Sequence, residues 1–463
     1  INYPQASWVE QDLEFLWQAC LRAITKVIEK AETREENFRV QDILSIGLTN
    51  QRESLCVWDK KTGQALCPMI SWQCRRSTAI CERLKKEGLE DQIHSRTGLF
   101  CDPYFTASKI SWVFTHQPEL KAKILAGKAL LGTLDSFVLY RLSGGKSFVT
   151  EKTNASRTLL YDLHTNTWSK ELRELFLGKE NFAQAQILDS SDCFARTKNV
   201  GPLIDGTKIS AVLGDQQAAL IGQTCLQTAE AKCTYGTGAF YLQELGKTLK
   251  LSKKRLITTV SYSHQGEVHY ALEGASFIAG AAVELLEKKL VLISSASETE
   301  TLAQAAKAAP ELYFVPALVG LGSPWWNPKA RGSFLGIGRE TTRAELVRAC
   351  LEGIAFRVCD IVEAVASDAQ TKASSLRVDG GMSVNNTLMQ IQADLLGLKI
   401  LRPKIMETTA FGVALFANSS HSESFSQAFL KNSVAQFMVA DFVASLHCVD
   451  VQTSLVTPSI SQN

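Results

Sequence analysis

The chain carries its acids and amides where apolar runs stop. Residues 209–214 form an apolar run too short for a helix; it ends in Asp215 and Gln216, and the Ala- and Leu-rich sequence beyond reads as a helix start. A strand that ends in a carboxylate sets that acid at the edge of an α/β sheet, where ligand crevices form. Asp215 is therefore a candidate general base, with an N-cap aspartate as the alternative reading of the same pattern. A second strand, 43–49, ends in Asn50-Gln51-Arg52-Glu53, and a third, 69–72, is followed by Gln73-Cys74-Arg75-Arg76. Asp102-Pro103-Tyr104-Phe105 precedes a helix with Lys109 and Trp112. Judged singly, Trp72 and Tyr104 read as core. Residues 231–240 read as strand, tight glycine turn and strand, and the small residues at 236–238 let backbone N–H groups approach phosphate oxygens. A hairpin that needs its glycines sterically is the other reading of this turn. Residues 376–381 read as a strand ending in Asp379-Gly380-Gly381, with Ser383, Asn385 and Asn386 opening a helix that offers backbone and amide groups to a nucleotide.

Positioning these groups takes two sheet-and-helix halves, each beginning with hairpins, with a small-molecule cleft expected between them. Residues 8–30 carry apolar side chains at helical spacing. Residues 55–58 read as a strand whose hairpin closes through Lys60-Lys61-Thr62-Gly63, and 129–142 as a buried strand passing into a helix. Residues 162–208 are mixed and carry no nameable chemistry. Residues 273–275 lead into a helix through Gly280, 312–319 read as a strand before a loop with Trp325 and Trp326, and 343–365 as a long amphipathic helix.

Composition narrows the class. The 463 residues suffice for two or three domains, and 49 basic against 47 acidic residues leave +2, so neither nucleic acid nor a membrane surface is an expected partner. No apolar run approaches the roughly 20 residues of a spanning helix. Twelve cysteines are scattered singly, without Cys-x-x-Cys. Free thiols in the cytoplasm are expected, and a zinc site is not. The chain opens Ile1-Asn2-Tyr3-Pro4 without an initiator Met or a signal segment and is read as a fragment.

Asn50-Gln51-Arg52-Glu53, Trp72-Gln73-Cys74-Arg75-Arg76, Gly214-Asp215-Gln216-Gln217, Thr234-Tyr235-Gly236-Thr237-Gly238 and Val378-Asp379-Gly380-Gly381 together resemble the FGGY carbohydrate kinase family, and within it the kinases acting on glycerol. The likeness runs from about Tyr3 to about Ala417; residues 104–116 look like one signature segment of the family and 332–352, apart from Cys350, like another. The resemblance implies an α/β fold of two ribonuclease-H-like domains, of the actin and hexokinase superfamily, flanking a central cleft. Residues 1–222 would be the polyol-binding domain, lacking its first strands, 223–417 the nucleotide-binding domain, and 418–463 a divergent tail. It further implies that Arg52, Glu53, Tyr104, Asp215 and Gln216 hold polyol hydroxyls while Trp72 and Phe240 cover the carbon face. Gly236 and Thr237 would meet the phosphates, with Gly280, Gly381 and Asn385 near the nucleotide, where Glu284 replaces a frequent amide.

The implied reaction is in-line transfer of the ATP γ-phosphoryl group to a terminal hydroxyl of glycerol, giving sn-glycerol 3-phosphate. Asp215 would accept the proton and serve as the carboxylate for Mg²⁺, and homodimers or homotetramers are the implied assemblies. Family members open with an Asp-x-Gly-Thr-Thr-like phosphate loop that has no counterpart before Tyr3, so turnover of this chain is expected to be reduced. Residues 201–208 lack the glycine-and-arginine loop that serves sugar-bisphosphate inhibition in some relatives. The alternatives are an FGGY kinase for another polyol or sugar, or a catalytically impaired polyol- or nucleotide-binding protein.

Overall fold

Lys208–Gly214 is buried along all but its first residue, as a strand covered on both faces must be. In the computed structural model, which describes residues 1–35, 37–307, 309–403, 407–419 and 454–456, this strand pairs in parallel with Ser45–Asn50 and antiparallel with Ser191–Arg196. The register sets Gly214 opposite Asn50. Residues 51–53 and 215–217 therefore leave the sheet at the same edge. These three strands belong to the first of two compact units, which comprises Ile1–Gly222, Thr259–His269 and, among the described residues beyond, 409–419. The second comprises Gln223–Thr258, Tyr270–Thr408 and, among the described residues beyond, 454–456. Two returns to the first unit thus lie beyond the 222/223 boundary read from the sequence.

In the first unit, Leu13, Trp17, Trp58, Phe137, Ile209 and Val212 share one buried cluster. The helix expected over 8–30 runs instead over Leu13–Arg34, because Asp12 caps it, accepting from the backbone N–H groups of Glu14 and Phe15 at 2.9 and 3.0 Å. The residues before it are extended: Glu10–Gln11 pairs with Met69–Ile70, and Arg76 binds Glu10 at 2.7 Å with its guanidinium 4.0 Å from the Trp8 ring. The hairpin expected at 55–63 forms: Asp59 Oδ1 closes the turn on Lys61 and Thr62, and the return limb pairs antiparallel at Trp58↔Ala65, with Asp59 N–H donating to the Gln64 carbonyl at 2.8 Å and Leu66 N–H to the Val57 carbonyl at 2.9 Å. On its other side Cys56–Asp59 pairs with Ala129–Gly132. The expected strand-into-helix at 129–142 is Ala129–Gly132 followed by Leu134–Leu142.

The helix Thr408–Ser419 packs on the helix Asp215–Gly222 through Gly412, where an added Cβ would stand 1.9 Å from the Ala218 carbonyl oxygen. Ser210 Oγ also donates to the Ala417 carbonyl at 3.0 Å. Gly412→Val is expected to lower stability by about 3 kcal/mol, read as a lower urea midpoint at unchanged slope.

In the second unit, Ala231–Tyr235 lies between Ala239–Gly246, antiparallel, and Ser375–Asp379, parallel. Lys399–Arg402 follows Ser375–Asp379 in parallel and is paired on its other side by Ser454–Val456. The long helix is Arg343–Ala369, started by a capping box of Thr342 and Glu345. The strand expected over 312–319 is only Tyr313–Val315, paired with Ser333–Leu335. The strand Glu267–Ser276 runs through 273–275, so the expected helix begins later, at Gly280–Glu284. Of the tail read at 418–463, only 418–419 and 454–456 lie within the described residues. Among those residues no helix is long and apolar enough to cross a membrane, and all eleven cysteines are free.

Candidate functional site

Arg52 leaves the end of Ser45–Asn50 and turns across the end of the neighbouring strand. Gly214 gives it room, since a Cβ there would stand 2.6 Å from Arg52 Cδ. The guanidinium is 2% exposed. Its Nη1 donates to Gln217 Oε1 at 3.0 Å, and its Nε lies 3.3 Å from Asp215 Oδ1 and 3.7 Å from Glu53 Oε1. Asp215 opens its helix with a carboxylate 38% exposed, and its Oδ1 accepts from the Gln216 backbone N–H at 2.8 Å. The acid is thus anchored on one oxygen and open to solvent. That arrangement suits a group that must meet a substrate hydroxyl while holding its direction.

Glu53 is buried and adopts a left-handed backbone, φ +63°. A non-glycine residue held there stores about 1–3 kcal/mol, which persists where the surroundings over-determine it. Here its carbonyl accepts from Thr106 Oγ1 at 3.0 Å and its Oε1 accepts from Arg157 Nε at 2.6 Å. Tyr104 is buried and meets Trp72 edge to face, with ring centroids 5.6 Å apart. Lys109 holds the loop that carries Tyr104 from beneath, donating to the carbonyls of Tyr104 and Phe105 at 2.6 and 3.2 Å. Burial pushes its ammonium down to about 7. The first unit therefore brings Arg52, Glu53, Trp72, Tyr104, Asp215 and Gln216 into one connected cluster.

The sequence reading missed what supports them. The stretch 149–161 reads by sequence alone as loop and short strand, but it holds the helix Lys152–Ala155. Glu151 caps it, accepting from the N–H groups of Thr153 and Asn154 at 2.7 and 3.2 Å, from Thr153 Oγ1 at 2.5 Å and from Ser190 Oγ at 2.5 Å. The segment ties both strand ends. Asn154 exchanges amide hydrogen bonds with Asn50 at 2.9 and 3.3 Å, and Thr153 Oγ1 accepts from the Gly214 N–H at 2.8 Å. The available signal was an acid two and three residues before Thr153 and Asn154, a helix-start pattern.

Burial pushes the Glu151 carboxyl up to about 7, against the donors that favour its charged form. In the unfolded chain it ionises near its ordinary value, so its contribution to stability is complete below about pH 4.5 and is lost as pH rises toward about 7. Glu151→Gln should remove that loss. The stability of the wild type minus that of the variant is expected to fall by about 3 kcal/mol across this window, measured by urea melts at each pH.

In the second unit, Gly236-Thr237-Gly238 closes on itself through Gly236 N–H to Gly238 O at 2.9 Å. The turn sits on the start of Gly280–Glu284: the Gly236 carbonyl accepts from Gly280 N–H at 2.9 Å and the Thr237 carbonyl from Ala279 and Ala281 at 2.8 and 3.1 Å. A Cβ at Gly280 would stand 2.7 Å from the Gly236 oxygen, so this glycine is required for the approach itself. Gly380 has φ +85°, and a Cβ on it would stand 2.5 Å from the Tyr235 carbonyl oxygen, whereas one on Gly381 meets nothing within 4 Å. Gly381 thus lines open space. Asn385 caps Asn386–Leu396, accepting from Leu388 N–H at 2.9 Å and donating to Thr299 Oγ1 at 2.9 Å, so its amide serves the fold. Glu284 is exposed and binds Lys288 at 2.7 Å, which holds its carboxyl below the usual range. Phe240 is half-buried in Ala239–Gly246, opposite Thr234 on one side and Ala275 on the other. Among the described residues no three His, Cys, Asp or Glu side chains cluster as a metal cage.

The N-terminal domain of the FGGY family of carbohydrate kinases matches residues 1–222, and its C-terminal domain residues 231–421. The chain is 43% identical over 416 residues to a glycerol kinase of Bdellovibrio bacteriovorus, covering 90% of this chain and 83% of that protein. It is 44% identical over 417 residues to glycerol kinase 2 of Thermotoga maritima, with 90% and 82% covered. Among solved structures, Plasmodium falciparum glycerol kinase with ADP superposes with a TM-score of 0.83 at 31% identity, over 97% of this chain and 92% of that one. A ligand-bound xylulose kinase from Lactobacillus acidophilus shares the fold, with a TM-score of 0.81 at 21% identity over 99% and 87%. With the two-domain α/β architecture of the actin and hexokinase kind and both domains matched, the chain belongs to the FGGY family of carbohydrate kinases.

Proposed function

We propose that this chain phosphorylates glycerol, transferring the γ-phosphoryl group of ATP to a terminal hydroxyl to give sn-glycerol 3-phosphate. The observation that carries the reading is the buried Arg52 bound at once to Asp215, Gln217 and Glu53, in a chain whose relatives named glycerol kinase match it at 43–44% identity. A three-carbon polyol has little apolar surface. Its recognition must come from charged and amide hydrogen bonds, which a ligand lacking one hydroxyl leaves unpaired. Arg52, Glu53, Tyr104 and Gln216 supply those groups, and the ring of Trp72 supplies an apolar wall.

Asp215 orients the attacking hydroxyl and accepts its proton. An aspartate of ordinary basicity suffices, because in a loose phosphoryl-transfer transition state the proton leaves late and positioning supplies most of the rate. Arg52 keeps the carboxylate aimed. In the second unit, the Gly236-Thr237 turn is assigned to the phosphates and the space beside Gly381 to the nucleotide. The residues fit Mg²⁺ as a phosphate-bound ion rather than a caged one: it keeps most of its waters and needs one or two carboxylates, and the half-exposed Asp215 carboxylate is the one offered here. When bound, the ion neutralises charge on the phosphate oxygens. Asn385 and Glu284, which hold a helix cap and pair with Lys288, are assigned to the nucleotide beside Gly381. A homodimer or homotetramer is the assembly proposed, to be read by light scattering.

The test is ATP-dependent formation of sn-glycerol 3-phosphate, run beside a panel of pentitols, xylulose and gluconate. Glycerol is expected to give the highest kcat/KM. A pentitol or a sugar outcompeting it overturns the substrate assignment.

A further inference from the structure

We propose that Arg157 is a positioning residue that sets polyol specificity by fixing Glu53 and Tyr104; the inference rests on the glycerol reading above. Its guanidinium is wholly buried, with Nε donating to Glu53 Oε1 at 2.6 Å. The central carbon lies 5.8 Å from the Tyr104 ring centroid and 5.4 Å from that of Phe105. One cation thus holds a carboxylate and a ring that reach the cluster from separate segments. Arg52 also lies beside Glu53, but at 3.7 Å it is farther than Arg157. The left-handed backbone of Glu53 gives the contact its direction, since the chain accepts an unfavourable φ of +63° to deliver that side chain beside Arg157. Arg157 is itself located relative to both strand ends. Its N–H donates to the Asn154 carbonyl at 3.0 Å, and Asn154 and Thr153 bind Asn50 and Gly214, the residues that precede the Arg52 and Asp215 turns. A carboxylate bound by a buried planar cation is held in direction, as selection of a hydroxylated ligand requires.

Steady-state phosphorylation by ATP of glycerol, propane-1,2-diol and propane-1,3-diol tests this with the wild type, Glu53→Gln, Arg157→Lys, Arg157→Met and the Glu53→Gln/Arg157→Met double variant. Arg157→Met is expected to raise KM for glycerol about 30-fold, with kcat within about threefold and KM for ATP unchanged. The preference for glycerol over the diols should shrink as it does in Glu53→Gln, and the double variant should be no worse than the worse single one. Arg157→Lys, which keeps the charge but not the fork, should fall between, and it carries the comparison if the methionine variant does not fold. Wild-type KM for glycerol in both Arg157 variants, equal losses toward glycerol and ATP, or full additivity overturns the proposal. Failure of the glycerol reading shows elsewhere, in the wild type's own substrate preference. The Arg157 assignment is then read from crystal structures of the wild type and Arg157→Lys, where an unmoved Glu53 carboxylate and Tyr104 ring overturn it.

Discussion

Asp215→Asn is expected to lower kcat about 10³-fold, within the range of about 10²–10⁴ for a positioned proton acceptor, while KM for glycerol moves by no more than about threefold. The split follows from the geometry. An amide oxygen can replace Oδ1 as acceptor of the Gln216 N–H at 2.8 Å, so the start of the Asp215–Gly222 helix keeps its shape. A neutral amide can still accept a hydrogen bond from a ground-state hydroxyl, which preserves most of the binding. It cannot take the proton, and the loss therefore appears only in the transition state. Single-turnover kinetics at saturating ATP read this directly. An unchanged kcat would falsify the assignment of Asp215 as proton acceptor, whatever substrate is used.

The residues legible in the sequence are those where hydrophobic patterning breaks. Asp215 and Arg52 follow apolar runs, and the runs are parallel neighbours whose last residues, Gly214 and Asn50, stand opposite each other. The pattern shows that polar groups gather at a sheet edge, but it does not contain the register, which depends on which strands pair. The pairing of Arg157 with Glu53 is beyond reach for that reason. They are 104 residues apart, and Lys152–Ala155 is a four-residue helix with too little length to show a period. Asn385 illustrates the opposite limit. An asparagine before an apolar helix is the same string whether its amide caps the helix or faces a ligand, and only the contacts to Leu388 and Thr299 distinguish the two. The Asp59 hairpin is legible in its residues, whereas the strand on its other side, Ala129–Gly132, is not, because a turn fixes local geometry and leaves the second sheet neighbour to burial.

Arg52→Met is expected to cost at least as much as losing the proton acceptor, lowering kcat/KM for glycerol by about 10³–10⁴-fold. Three partners lose their cation or donor at once: Asp215 at 3.3 Å, Gln217 at 3.0 Å and Glu53 at 3.7 Å. Methionine fills the volume, so the sheet edge closes, but the buried Glu53 loses one of the cations beside it, and Asp215 loses the group that aims it. Arg52→Lys restores the charge without the fork. A single ammonium cannot reproduce the Nη1 bond to Gln217 and the Nε approach to Asp215 together, so recovery should be partial, to about 10²-fold below the wild type. The decisive measurement is the ratio of the two variants with kcat and KM separated. If lysine restored full activity, Arg52 would act as a charge alone, and the packing of its side chain against Gly214 would have no part in catalysis. If methionine changed only KM for glycerol and left kcat intact, Arg52 would bind substrate without directing Asp215. The expected result, a fall in kcat and a rise in KM together, is the one a single guanidinium shared between the proton acceptor and the hydroxyl-binding groups must give.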